Sequence, residues 1–118
     1  MSKVYLHHIG IETSNMEKSI QLYENMGGKV YNDVDAKSID KRLVFIMYGG
    51  ATIELISSDK DGIAHTAYLV NHVDDIPFPI EQADKCLFIP EINKMCYFFE
   101  NETIEFMVGA VVKNFIRA

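Results

Sequence analysis

Two histidines and two glutamates stand at matching positions in the two halves of the chain. His8 and His65 are 57 residues apart, and Glu54 and Glu105 are 51 residues apart. Each lies in an apolar run typical of a strand, where a carboxylate buried without a partner is very costly. Two imidazoles and two carboxylates that meet can bind a divalent cation and leave positions open for water or substrate. The pattern therefore predicts one metal site built from both halves.

The four residues belong to a longer internal repeat. An offset of 51 aligns the Thr-Ile-Glu sequence of residues 52–54 with the same sequence at 103–105. This alignment continues without a gap to place Phe45 on Cys96. The two offsets differ by 6 residues, which is the deficit expected if the second half has lost part of a helix.

The elements that must position these side chains are a strand, a helix and three further strands in the first half. Residues 4–11 are apolar and β-branched like a strand. Apolar residues recur at helical spacing from Met16 to Met26, behind a capping box in which Ser14 and Glu17 satisfy each other's backbone donors. Two glycines at 27–28 end this helix. Strands are predicted at 29–33, 43–48 and 52–56, the last two joined by a Gly-Gly hairpin turn.

The second half repeats this order of elements, but its helix is predicted to be shortened. A polar linker at 58–62 precedes strands predicted at 63–70, 85–89, 95–99 and 103–108. Pro77 and Pro79 fall where the helix would lie, and proline cannot continue a helix. We therefore predict an α+β fold in a single domain over 1–118, with βαβββ modules at 3–57 and 63–109. The apolar tail at 110–118 is expected to pack as a short helix or an extra strand.

The composition excludes several classes of protein. A hydrophobic fraction of 48% with 24% charged residues is that of a globular chain rather than a disordered one. The net charge of −6 and the lack of any basic cluster longer than Lys41-Arg42 argue against nucleic acid as a partner. No apolar run approaches the ~18 residues of a membrane span, and no apolar signal region opens the chain. A cytoplasmic protein with no membrane partner is expected.

Other residues with reactive side chains are assigned ordinary roles. Cys86 and Cys96 are expected on neighbouring strands as two free core thiols, although a disulfide is geometrically conceivable. His7 and His72 are expected to be uninvolved in chemistry, since strand alternation points His7 to the face opposite His8. Phe98 is expected to serve core packing.

The chain resembles the glyoxalase/bleomycin-resistance/dioxygenase superfamily, whose members are often called vicinal oxygen chelate proteins. The resemblance extends from Leu6 to about Val108. It is carried by residues 7–11 (His-His-Ile-Gly-Ile), 16–20 with Tyr23 and Gly27, 53–55, 65–68 with 73–76, and 104–106. Such proteins pair βαβββ modules whose strands form a curled mixed sheet around a metal cup. In the glyoxalase I branch the ligands run His, Glu, His, Glu, which His8, Glu54, His65 and Glu105 match. The methylmalonyl-CoA epimerase branch has Gln at the second place, and Glu54 departs from it.

The resemblance implies a metal-dependent lyase or isomerase of the lactoylglutathione lyase (glyoxalase I) type. Such an enzyme removes a proton next to a carbonyl and passes through a metal-stabilised enediolate. The pseudo-symmetry of the two halves favours Glu105 as the mobile base, with Glu54 as the second candidate. Three alternatives stay open: epimerase-like racemisation of an acyl thioester, other metal chemistry such as epoxide opening or ring-cleaving dioxygenation, and a non-catalytic ligand-binding member.

The implied cofactor is a divalent metal ion, with nickel, cobalt, manganese, zinc and iron all compatible with histidine and glutamate ligands. The implied partner is a small carbonyl or thioester substrate. Arg42 and Arg117 are the only arginines, whereas glutathione-using members hold that tripeptide with cationic residues, so the thiol is left open. A homodimer is expected, because a shortened second helix leaves a sheet face to cover. Related dimers keep the metal site within one chain or share it between two.

Overall fold

The computed structural model describes residues 3–109, so the predicted tail at 110–118 lies outside the described residues. One α-helix and eight strands account for most of this range. Their bounds are β1 Tyr5–Thr13, α1 Met16–Asn25, β2 Lys29–Ala36, β3 Lys41–Tyr48, β4 Ala51–Ser57, β5 Gly62–Val70, β6 Lys85–Ile89, β7 Lys94–Phe99 and β8 Ile104–Val108. Short 3-10 turns occupy Lys37–Ile39, Val73–Asp75 and Ile80–Gln82.

All eight strands form one mixed sheet in the order β2-β3-β4-β1-β5-β8-β7-β6. Within each half the first strand pairs in parallel with the last, β1 with β4 and β5 with β8. The antiparallel pair of β1 and β5 joins the two halves at the centre of the sheet. The sheet curls until its two ends meet, where the backbone N–H and the hydroxyl of Ser38 donate to the carboxylate of Glu91. The predicted curled α+β architecture is confirmed, and its concave side is called the cup below.

The register of the strands follows the sequence repeat, except in the second hairpin. Glu54 lies opposite Phe45 on β3, and Glu105 lies opposite Phe98 on β7. Phe98, rather than Cys96, is therefore the structural counterpart of Phe45, and the ungapped alignment is wrong by two residues. The cause is the turn: β3 and β4 are joined by two residues, whereas four residues join β7 to β8 and three of them have positive φ.

The ends of α1 differ in how well they were predicted. Asn15, which directly precedes the helix, accepts a hydrogen bond from the Lys18 N–H. Ser14 instead binds Asp61, and Glu17 forms an ion pair with Arg42 at 2.6 Å. The predicted Ser14–Glu17 capping box is therefore wrong, since Asn15 supplies the cap. At the other end Gly27 has φ +97°, the left-handed conformation expected after a helix.

The connector between β5 and β6 forms no α-helix, as its two prolines predicted. Its 3-10 turns bring Ile76 and Phe78 onto the outer face of the second half of the sheet. Phe78 stacks on Phe99 with ring centroids 5.1 Å apart. On the outer face of the first half, Ile20 and Tyr23 of α1 pack on the sheet. A short apolar connector thus occupies the place that α1 has in the first half.

Both cysteines are free, as predicted, but only one is a core thiol. Cys96 is buried, whereas Cys86 is exposed. Cys96 lies opposite Leu87 in the β6–β7 pair, so Cys86 points to the other face of the sheet. Burial and the nearby carboxylate of Glu105 raise the pKa of the Cys96 thiol, which stays protonated. Among residues 3–109, no helix has the length and apolar character needed to cross a membrane.

Candidate metal centre

The structure brings His8, Glu54, His65 and Glu105 together inside the cup. One donor atom from each side chain lies within 4.8 Å of the others. The residues are 2%, 6%, 8% and 4% exposed. All four come from a single chain, so no second subunit is needed to complete the set.

Strand pairing explains why these side chains converge. Gly10 lies opposite Glu54 on one side and opposite His65 on the other. Ala67 is the counterpart of Gly10 and lies opposite His8 and Glu105. Residues that are directly opposite on adjacent strands project to the same face. Two small residues at the centre of the sheet are therefore each flanked by one histidine and one glutamate.

The distances within the cluster suit a bound cation. His8 Nε2 lies 3.0 Å from Glu54 Oε1, and His65 Nε2 lies 2.9 Å from Glu105 Oε1. Neighbouring donors around an ion with bonds of 2.0–2.2 Å are separated by about 3 Å. Within the described part of the chain, His65 Nε2 is buried, and its close contact with Glu105 lacks the geometry of a hydrogen bond. A buried nitrogen of this kind, facing two carboxylates, fits a divalent metal ion.

The charges of the cluster compensate one another. Burial alone would lower the pKa of His65, but the carboxylates of Glu105 and Glu54 raise it to about 10. Burial alone would raise the pKa of Glu54, but His8 and His65 lower it to about 2. Without metal, Glu54 is therefore ionised and His65 protonated at neutral pH, and a cation would displace the proton on His65.

Each histidine of the cluster also contacts one phenylalanine ring edge to face. Phe45 lies 6.0 Å from His8 and Phe98 lies 5.8 Å from His65, measured between ring centroids. Sequence analysis missed this pairing because the ungapped repeat aligned Phe45 with Cys96. The contacts limit the rotation of both imidazoles, so Phe98 does more than fill the core.

The observed position of His7 contradicts the prediction that its side chain points to the face opposite His8. Its Nδ1 atom lies 2.9 Å from Nδ1 of His8, and the two rings meet edge to face at 5.2 Å. The pairing of β1 with β5 is irregular between Leu6 and His8, and a bulge of this kind breaks strict alternation. The doubled histidine was the available signal, but alternation alone could not reveal the contact.

A cavity of about 410 Å³ opens onto the cluster. Glu54, His65 and Glu105 line it, whereas His8 lies behind them. Lys41, Lys60 and Lys85 also line the cavity. Apolar side chains supply much of its wall: Ile39, Leu43, Leu87, Ile89, Ile92 and Met107. A small molecule entering here would meet apolar side chains, lysines and the His/Glu cluster.

Solved structures share this architecture over nearly their whole length. A methylmalonyl-CoA epimerase from Mycobacterium tuberculosis aligns with a TM-score of 0.76 at 17% identity, covering 97% of this chain and 94% of that one. A hypothetical protein from Bacillus halodurans C-125 aligns with a TM-score of 0.77 at 18% identity, covering 93% and 97%. The chain has the vicinal oxygen chelate fold. No family profile matches the sequence, and no curated protein matches it.

A third structure with the vicinal oxygen chelate fold is a methylmalonyl-CoA epimerase solved with methylmalonyl-CoA and NH4+. It aligns with a TM-score of 0.66 at 16% identity, covering 94% of this chain and 98% of that one. Because nearly the full length of each protein is covered, both halves of the fold are matched. The buried His/Glu group of this chain could hold a metal ion.

Proposed function

We propose that the protein is a metal-dependent enzyme that transfers a proton at a carbon next to a carbonyl group. The observation that carries this proposal is the buried cluster of two histidines and two glutamates beside a cavity large enough for a small substrate. A divalent ion bound by His8, Glu54, His65 and Glu105 would supply Lewis-acid stabilisation of negative charge on the carbonyl oxygen. The chain itself supplies the base and a largely apolar cavity wall.

Glu105 is the glutamate that we assign as the base. The Oε1 atom of Glu54 lies 3.0 Å from His8 Nε2 and 3.7 Å from His65 Nε2, so two imidazoles hold it. Glu105 has a close contact with only one of them, His65. Both glutamates line the cavity, but Glu105 has fewer imidazole contacts to lose when it approaches a substrate carbon. A positioned carboxylate in such a site takes up the proton and returns it.

Two reactions fit this chemistry and differ in the carbon that receives the proton. Return to the adjacent carbon gives the glyoxalase I isomerisation of a hemithioacetal, and the ligand order His, Glu, His, Glu supports it. Return to the same carbon gives epimerisation of an acyl thioester, and the epimerase structures with the same fold support that reading. A ligand-binding protein without catalysis is the remaining candidate.

Deuterium incorporation separates these candidates. Protein reconstituted in parallel with nickel, cobalt, manganese or zinc is incubated in deuterated water with hemithioacetals and with 2-methylmalonyl thioesters. We expect label at the carbon next to the carbonyl, and the substrate that accepts it identifies the reaction. The matched control is the same protein stripped with a chelator, which should leave the substrates unlabelled. Tight metal binding without label in any substrate would contradict an enzymatic role.

Three lysines at the cavity favour an anionic group on the substrate, beside the carboxylates of Glu12 and Glu102 that also line it. Although the chain has a net charge of −6, Lys41, Lys60 and Lys85 all line the cavity. Lys85 lies 3.7 Å from Glu102 and above the ring of Phe98. Within residues 3–109, Lys41 and Lys60 have no ion-pair partner within 4.0 Å, so they are available to a carboxylate or phosphate group of the substrate.

Replacing both Lys41 and Lys60 with Ala should raise KM about fivefold and leave kcat nearly unchanged. Two partly solvated charges contribute together on the order of 1 kcal/mol to binding an anion, and salt should reduce the difference between variant and wild type. The exposed Lys29, which does not line the cavity, gives the control variant Lys29→Ala. Equal KM values for the double variant and this control would refute the assignment.

We also propose that the protein is a homodimer. Leu6 and Ile63, on the two central strands, are 65% and 74% exposed, the highest values among the large apolar side chains of the described residues, and a partner covering them would remove apolar surface from water. Because one chain carries all four donors, mixing His8→Ala chains with Glu105→Ala chains should restore no activity. Sedimentation at micromolar concentration checks the dimer, and a monomer there would reject it.

A further inference from the structure

His7 lies directly behind one ligand of the proposed metal site. The imidazole of His8 has two nitrogens, and Nε2 faces Glu54 at 3.0 Å. Its other nitrogen, Nδ1, lies 2.9 Å from Nδ1 of His7. One of these two Nδ1 atoms must donate a proton and the other must accept it. The contact therefore couples the two rings, since hydrogen on one Nδ1 requires an unprotonated Nδ1 on the other.

The direction of this hydrogen bond follows from the role of His8. A metal-binding imidazole uses an unprotonated nitrogen, and the nitrogen that faces the cluster is Nε2. Its hydrogen must then reside on Nδ1, which makes His8 the donor and Nδ1 of His7 the acceptor. Ligating histidines commonly have such an acceptor behind them, and it orients the ring and strengthens it as a ligand.

The second half of the chain lacks an equivalent residue. The repeat that aligns His8 with His65 aligns His7 with Ala64, whose methyl side chain cannot accept a hydrogen bond. His65 is instead packed tightly over Gly10, where an added Cβ would come within 2.5 Å of its Nε2. The two histidines are thus oriented by different means, one by an acceptor and the other by close packing.

We propose that His7 is a positioning residue that accepts a hydrogen bond from His8 Nδ1 and so presents His8 Nε2 to the metal. This proposal rests on the metal-binding role given to His8 above, and it adds a residue that never touches metal or substrate. His7 acts on the site through His8, because its Nδ1 reaches the far side of that ring.

Two substitutions separate hydrogen bonding from packing. His7→Ala introduces the residue found at the equivalent position of the second half, Ala64, and removes the acceptor. His7→Asn removes the ring but retains an acceptor, because the side-chain oxygen of Asn is as many bonds from the backbone as Nδ1 of His. The control is His72→Ala, since His72 is exposed and belongs neither to the cluster nor to the cavity lining. Thermal unfolding in chelator, compared across the variants, shows whether each one folds.

The measurements are zinc affinity, by competition with a chromophoric chelator, and the protonation of His8 nitrogens in the zinc-loaded protein, by long-range proton–nitrogen NMR. We expect His7→Ala to weaken zinc binding about 10- to 100-fold. His7→Asn should stay within about threefold of wild type, the smaller loss expected when an acceptor is kept. His72→Ala should match wild type, and wild-type His8 should carry its proton on Nδ1.

Several outcomes would overturn the proposal. It is wrong if His7→Ala binds zinc as tightly as wild type, if His7→Asn is as weak as His7→Ala, or if His8 Nδ1 carries no proton. A wild-type protein that binds no zinc would refute this proposal together with the metal site. Zinc binding that responds to His7 as expected, but without labelling of any substrate, would refute the proposed enzymatic function and leave the role of His7 supported.

Discussion

Glu105→Gln should lower the rate of substrate proton exchange about 10²- to 10⁴-fold, the usual contribution of a positioned acid–base group. Glutamine keeps the size of the side chain and an oxygen that can face His65, but it cannot accept the substrate proton at neutral pH. The metal site should therefore remain largely occupied. The measurement is deuterium incorporation from deuterated water, together with elemental analysis of the same protein sample.

Glu54→Gln is the matched comparison, because Glu54 is the counterpart of Glu105 in the repeat. Two imidazoles contact the Glu54 carboxylate within 3.7 Å, so its loss should weaken metal binding more than the loss of Glu105 does. Unchanged exchange in Glu105→Gln would contradict its assignment as the base. Lost exchange in Glu54→Gln with full metal content would transfer that role to Glu54.

Gly10→Ala should abolish tight metal binding. A Cβ at this position would lie 2.5 Å from Nε2 and 2.6 Å from Cε1 of His65, which is closer than Cβ atoms approach non-bonded atoms in real structures. The imidazole would have to rotate away, but Phe98 packs against its ring at 5.8 Å and leaves little room. We expect the free energy of unfolding to fall by about 1–3 kcal/mol, as in other overpacked cores. Metal titration and thermal unfolding measure the two effects.

Gly50→Ala provides the control for this substitution. An added Cβ at Gly50 meets no atom within 4 Å, so both metal affinity and stability should stay close to wild type. If Gly10→Ala binds metal as tightly as Gly50→Ala, the imidazole of His65 has moved without loss. The observed position of the ring would then not be required for the site.

The amino-acid sequence by itself determined the order of elements and the types of residue at the centre. Apolar periodicity and glycine turns predicted α1 and the strands, because these signals act over a few neighbouring residues. The repeated His and Glu predicted the cluster, since equivalent positions in two similar halves fold to equivalent places. Pro77 and Pro79 predicted that the second half has no α-helix between its first two strands. The reason is equally local, since proline has no backbone N–H to donate.

Only the tertiary structure decided the features that depend on register and on contacts between distant strands. The four-residue turn before β8 shifted Phe98 into the place predicted for Cys96, and a bulge in β1 turned His7 towards His8. A shift of a single residue in a strand exchanges its two faces, and no local pattern reports such a shift. The cavity, its lysines and the location of all four donors in one chain likewise exist only once the sheet has curled.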